Sequence, residues 1–175
     1  MTASTFSVRR LHALDDTQIN ELAVVLIDCV DGGASVSFMR PLTRERAVAF
    51  WRGVSDGVAA GERALLVAED DQGICGTVHL VLSQPENQPH RAELSKMLVH
   101  RRARCRGIGA ALLQAAEDTA RDCNKSLLVL DTASDDAERL YQRQGWTRVG
   151  RIPGFALLPD GGLCATTLYY RELRA

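Results

Sequence analysis

Apolar residues recur at helical spacing in four segments of the chain, with short alternating or unbroken apolar runs between them. In "DDTQINELAVVLIDCV", Ile19, Leu22, Leu26 and Cys29 share one helical face, and Asp15 or Asp16 stands as the N-cap. "TRERAVAFWRGVSDGVAAG" opens at Thr43, aligns Ala47, Phe50, Trp51, Val54 and Val58, and stops at Gly61. "GIGAALLQAAEDTARD" aligns Ile108, Ala111, Leu112 and Ala115. "SDDAERLYQRQG" turns Ala137, Leu140 and Tyr141 inward between Ser134 as N-cap and Gly145 as stop. Strand patterns fill the remainder. Phe6 to Leu11 reads as a first strand; "RALLVAED" and "ICGTVHLVLSQ" flank the turn "DDQG" as a hairpin. "RAELSKMLV" (Arg91 to Val99) follows, then "SLLVLD" (Ser126 to Asp131), whose unbroken apolar run is that of a strand buried on both faces. "WTRVGRI" and "LCATTLYYREL" lie on either side of "PDGG".

The predicted order is β-α-α-β-β-β-α-β-α-β-β. Arg91 to Asp131 forms a strand-helix-strand unit, hence a parallel pair with a right-handed crossover, while the hairpins add antiparallel neighbours. The expectation is an α/β (α+β) fold: one domain over residues 1–175, with a mixed central sheet of about seven strands and helices on both faces.

Composition narrows the function. The chain has 175 residues, 46% hydrophobic and 25% charged, with a net charge of −1. Those values belong to an ordinary globular domain and provide no overall field for nucleic acid or an acidic membrane. No apolar run is long enough to span a bilayer, and no signal-peptide pattern opens the chain. A cytoplasmic location is the default expectation. The five cysteines (Cys29, Cys75, Cys105, Cys123, Cys164) are irregularly spaced and read as free thiols. The histidines (His12, His79, His90, His100) form no ligand-spaced set, so no metal is expected.

One local anomaly carries chemistry. In "RARCRGIGAALL", Arg101, Arg102, Arg104 and Arg106 crowd the start of a predicted helix, where the dipole is already positive. A strand before it, glycines within it and a helix after it make an anion site from backbone N–H groups. Gly107 and Gly109 would let a phosphate approach without a Cβ in the way. A Walker loop is missing its Lys and Ser/Thr, because Ala110 and Ala111 follow Gly109. A dinucleotide fingerprint is missing its third glycine, because Leu112 holds that place. The pattern R-x-x-G-x-G fits Arg104, Gly107 and Gly109. The bland alternative is a glycine-started helix with a solvated basic edge.

Arg104-Cys105-Arg106-Gly107-Ile108-Gly109, with "LYQRQGW" (Leu140 to Trp146) some thirty residues on, resembles the two hallmarks of the GNAT N-acetyltransferase superfamily, and the element order agrees. "DGGASVSFM" and "IPGFALLPDGGLCATTLYY" are similar to the tabtoxin resistance acetyltransferases. The resemblance implies the GNAT acyl-CoA N-acyltransferase fold and acetyl-CoA as donor. Its pyrophosphate would rest on Arg104, Cys105, Arg106, Gly107, Ile108 and Gly109. Its pantetheine arm would lie along Met97, Leu98 and Val99. The family's asparagine at the start of the last helix is replaced here by Ser134 or Asp135.

Acetyl transfer to an amine needs a base for the ammonium, donors for the oxyanion and an acid for the leaving thiolate. Glu93, mid-strand, is expected to be withdrawn from water and to act as base; a surface Glu paired with Arg91 or Lys96 is the alternative. Asp131, at a strand end, can bind the substrate ammonium or share the base role. Tyr141 falls on the family's tyrosine position and would be the general acid, against the alternative of a core aromatic. Asp31, Ser35, Phe38 and Trp51 are candidates for the acceptor pocket. The acceptor implied is a small-molecule amine, with an amino-acid-like or peptide-like toxin the narrower expectation. Protein acetylation, a CoA-sensing module without catalysis and a nucleotide-binding protein are the competing readings. Exposed strand edges near the C-terminus allow a homodimer.

Overall fold

The computed structural model describes residues 5–173. Seven strands form one sheet: β1 (Ser7–Leu11), β2 (Arg63–Asp70), β3 (Gly73–Val81), β4 (Arg91–Val99), β5 (Leu127–Thr132), β6 (Thr147–Leu157) and β7 (Leu163–Glu172). Their spatial order is β1-β2-β3-β4-β5-β7-β6. β4 and β5 run parallel, and every other neighbouring pair is antiparallel. Four helices complete the fold: α1 (Asp16–Asp31), α2 (Arg44–Ala59), α3 (Ile108–Asp122) and α4 (Asp135–Arg143).

Strand alternation sorts the core into two layers. Ala64, Leu66 and Ala68 of β2 turn to one face with Leu80, Ala92, Leu94, Leu128 and Leu130, and the apolar sides of α3 and α4 cover them. Leu65 and Val67 turn to the other, under Leu22, Leu26, Trp51 and Val54 of α1 and α2. The mixed seven-stranded sheet with helices on both faces is the one expected. Asp15, rather than Asp16, caps α1: its carboxylate accepts from Gln18 N (2.8 Å), and Gln18 Oε1 accepts from Asp15 N (3.0 Å).

One strand differs from expectation. β6 continues past Pro153 to Leu157. It is an edge strand paired only with β7, and a register shift between Ile152 and Ala156 absorbs the irregularity. A proline's missing N–H is tolerated there.

The feature that makes a site is the parting of β4 from β5. The two pair only at Arg91, Ala92 and Glu93 with Leu127, Leu128 and Val129. Beyond Glu93, β4 bulges: its register against β3 jumps from His79↔Ser95 to Thr77↔Leu98, and Lys96 adopts φ 52°. A wedge opens between the strands, and β4 leads directly toward the start of α3. Among the described residues no helix is long and apolar enough to cross a membrane.

Candidate active site

The loop after β4 is built to expose N–H groups. Cys105 (φ 60°) and Gly107 (φ 82°) are both left-handed, so the chain turns sharply before α3 begins. Gly107 caps α3 without a side-chain hydrogen bond, leaving the helix's first turn open at its positive end. A Cβ on Gly107 would meet nothing within 4 Å, so the space before it is free. Gly109 has a packing constraint that the sequence did not show. A Cβ there would sit 3.1 Å from Leu140 Cδ2, so this glycine also clears room for α4. Ile108 is buried beneath the loop, and the Cys105 side chain is exposed.

The arginines also differ from expectation. Arg101 gives its backbone N–H (2.8 Å) and its Nε (2.9 Å) to Asp28 of α1. Arg102 (2.7 Å) and Arg106 (2.8 Å) share Oδ2 of Asp70, whose side chain is 0% exposed. Their hydrogen bonds, Arg102's foremost, outweigh the cost of burial and hold the Asp70 carboxyl well below the usual carboxylate range. Arg104 turns its Nε to Val99 O (3.3 Å). Much of the cluster's charge is therefore met by carboxylates more than 30 positions away in sequence, and the arginines brace the loop.

Across the wedge the structure gathers groups from both faces. Asp131, at the exposed end of β5, accepts from Thr166 Oγ1 of β7 (2.7 Å). It alternates with core-facing Leu130 and so lies on the α1/α2 side. Tyr141 lies on the α3/α4 side, 3% exposed, with ring centroids 5.7 Å from Trp146 and 5.8 Å from Tyr169. Burial, then the nearby Asp131 charge, push its phenol far above the ordinary value. It is a core aromatic whose phenol stays protonated. α4 is fixed by Tyr169, whose hydroxyl donates to Glu138 Oε2 (2.7 Å) and accepts from Gln142 Nε2 (3.0 Å). Ser134 caps α4 by accepting from Ala137 N (3.3 Å). Met97 is half-buried and Leu98 buried; Leu98 and Val99 pair with β3 on one edge, while their other edge has no β5 partner.

Two expectations are corrected. Glu93 is not withdrawn from water: its side chain is 52% exposed and pairs with Arg91 (3.1 Å), two residues away on the same face of β4. Trp51 is not a pocket wall. It is 0% exposed, packed inside the α1/α2 layer. Its neighbour Phe50 packs edge-on to Phe38 at 5.3 Å. Ser35 Oγ donates to Leu157 O (3.1 Å) and accepts from Cys164 Sγ (3.6 Å), tying the α1–α2 loop to the β6–β7 hairpin. Asp31 ends α1, and its carbonyl accepts from Arg40 Nη2 (2.6 Å).

Lys96 was not singled out from the sequence. Its ammonium is 3.2 Å from Ser37 Oγ and 5.6 Å above the Phe50 ring, on the same side as Asp131. Burial lowers its pKa, the Asp131 charge opposes this, and Arg63 lowers it further. A signal was present: Ser95 and Lys96 are consecutive polar residues in an alternating strand, which is how a bulge reads.

Comparison with known proteins places the chain in a family. The profile of the acetyltransferase (GNAT) family matches residues 35–146. The chain belongs to the GNAT acetyltransferase family. This GNAT protein is 32% identical, over 148 residues (83% of each chain), to an uncharacterized N-acetyltransferase encoded in the hisH-hisA intergenic region of Azospirillum brasilense. Its fold matches yncA of Salmonella typhimurium, whose structure contains its cofactor acetyl-CoA (20% identity, 97% of this chain and 94% of that one, TM-score 0.77). It also matches ribosomal-protein-alanine N-acetyltransferase from Brucella melitensis (20% identity, 95% and 99%, TM-score 0.79). The GNAT chain is thus an N-acetyltransferase, and enzymes of the family draw the acetyl group from acetyl-CoA. The loop fits the anionic part of such a donor. It has an uncapped helix start, free space before Gly107 and a strand edge without a partner. Among the described residues no cluster of His, Cys, Asp or Glu is placed to hold a metal.

Proposed function

We propose that this enzyme transfers the acetyl group of acetyl-CoA directly to the amine of a small molecule, an amino-acid-like or peptide-like toxin or antibiotic. The observation that carries the reading is the wedge, with Asp131 on one side and Tyr141 on the other. Acetyl-CoA supplies an activated thioester carbonyl. The loop from Arg104 to Gly109 and the start of α3 hold its phosphates, and the edge of Met97 to Val99 that has no β5 partner holds its arm. The backbone N–H near Leu98 receives charge developing on the carbonyl oxygen.

Asp131 binds the acceptor ammonium and takes its proton, because only the neutral amine is a nucleophile. Thr166 orients that carboxylate through its hydrogen bond. Tyr141 keeps its proton at neutral pH and gives it to the leaving sulfur. Ser35 and Phe38 enclose the acceptor, with Asp31 at the mouth of the loop. Cysteine chemistry argues for direct transfer. Burial raises the Cys29 and Cys75 thiols, which donate to backbone carbonyls, and Cys105 lies in the phosphate loop. Neither kind is a primed acyl carrier.

The test is mass spectrometry of products after incubation with acetyl-CoA and a panel of amino acids, β-lactam amino-acid toxins, short peptides, polyamines and aminoglycosides. An acetylated small amine is the expected result. No product, with acetyl-CoA bound by calorimetry, would turn the reading toward protein acetylation.

A further inference from the structure

The acceptor side of the sheet holds positive charge that the protein does not balance. Lys96 is half-buried, and among the described residues no carboxylate comes within 4.0 Å of its ammonium; its polar contact is Ser37 Oγ at 3.2 Å. Arg63, on the same face of β2, is also half-buried and likewise has no carboxylate within 4.0 Å among the described residues. Its Nη1 lies 3.2 Å from His79 Nε2. A guanidinium can only donate, so His79 Nε2 accepts and the imidazole proton is on Nδ1. That Nδ1 is buried and has no hydrogen-bond partner. Neither has Nε1 of Trp51, whose ring meets His79 edge-on at 6.4 Å. Lys96 and the ground behind it thus present two cations, Lys96 and Arg63, and two unanswered donors. The nearby carboxylate, Asp131, is the group assigned to the amine.

A half-buried ammonium loses hydration that a paired anion restores. We infer that the acceptor carries a carboxylate beside its amine, and that Lys96, with Ser37, binds it while Asp131 binds the ammonium. This rests on the small-molecule reading above and narrows it to a zwitterionic, amino-acid-like substrate. Opposite charges of the acceptor then face opposite charges of the site, which sets its orientation as well as its affinity. Polycations such as spermidine or an aminoglycoside meet Lys96 as a like charge and are poor acceptors.

The experiment uses matched probes on the intact enzyme: amino acids and the corresponding amino acid amides, with spermidine and kanamycin alongside. Wild type is compared with Lys96→Met and Lys96→Arg, each checked for folding by thermal unfolding. Wild type should acetylate an acid in preference to its amide by roughly 10–100-fold in kcat/KM, as expected for a charge-assisted hydrogen bond. Lys96→Met should collapse that ratio toward unity, with the loss for the acid falling on KM more than on kcat. Lys96→Arg should retain part of the preference. Amides acetylated as well as acids, a ratio unmoved in Lys96→Met, or polyamines preferred over acids would each overturn the Lys96 assignment while leaving small-molecule acetylation standing. If acetyl-CoA binds and no small amine is acetylated, the parent reading falls, and the carboxylate site falls with it.

Discussion

In the proposed mechanism two side chains, Tyr141 and Asp131, divide the proton transfers between them, and each can be replaced by a near-isosteric residue. Tyr141→Phe deletes one hydroxyl from a packed aromatic cluster. Turnover should fall about 100-fold, the lower end expected for a general acid, with acetyl-CoA affinity by calorimetry maintained. Because burial raises the phenol, Tyr141 does not titrate at neutral pH, and the rate should not decline there on its account. On the same proposal Asp131→Asn should lower kcat/KM by a similar factor. Glu93→Gln is the contrast. As an exposed carboxylate paired with Arg91, it should alter stability by no more than about 0.5 kcal/mol. An unchanged pH–rate profile in that variant would leave the base role with Asp131, whereas a displaced one would restore Glu93 as a base acting through water.

Elements bring these residues together, and here the sequence was uneven as a guide. Helices and strands were legible because apolar spacing and end signals are local: Thr43 and Ser134 cap α2 and α4 as read. The arginine cluster was legible as composition but not as structure. Its partners, Asp28 and Asp70, come from α1 and the end of β2, and no local pattern reports a long-range ion pair. Glu93 illustrates the same limit, since mid-strand position does not tell which face of a sheet is left open. The loop should therefore depend on a carboxylate outside it. Asp70→Asn leaves Arg102 and Arg106 side by side without their shared anion and should destabilise the fold by about 3 kcal/mol in urea unfolding. Gly109→Val should press on Leu140 and lower the unfolding midpoint. A purely functional glycine would give weaker donor binding with the midpoint unmoved.

At the scale of the whole molecule, His79 ties acid sensitivity to the acceptor layer. Burial, then Arg63 and Lys96, lower its pKa to about 3, against an ordinary value near 6.5. A lowered folded-state value means that the stability is fully present above pH 6.5. Below it the unfolded chain binds a proton that the folded chain refuses. Stability should then fall by about 1.4 kcal/mol per pH unit from this residue until about pH 3. His79→Leu should flatten that part of a pH series of urea midpoints; an undiminished slope would assign the acid lability to other groups. The two-layer arrangement itself was readable, because each strand's alternation already names two faces to cover. The open wedge was readable only through the family resemblance, in which the strand splays at Met97 to Val99; no local pattern reports it, since it arises from a bulge and an incomplete pairing of strands brought together only in space.

The internal pairing of the loop arginines has a last consequence, for ionic strength. Asp28 and Asp70 take up much of the charge of Arg101, Arg102 and Arg106, so on the proposed loop assignment a large share of the attraction for an anionic donor would come from fixed backbone dipoles at short range. Mobile ions screen distant charges far more than adjacent amides. The KM for acetyl-CoA should stay nearly level as salt is raised, and the enzyme should work about as well in a saline cell as in a dilute one.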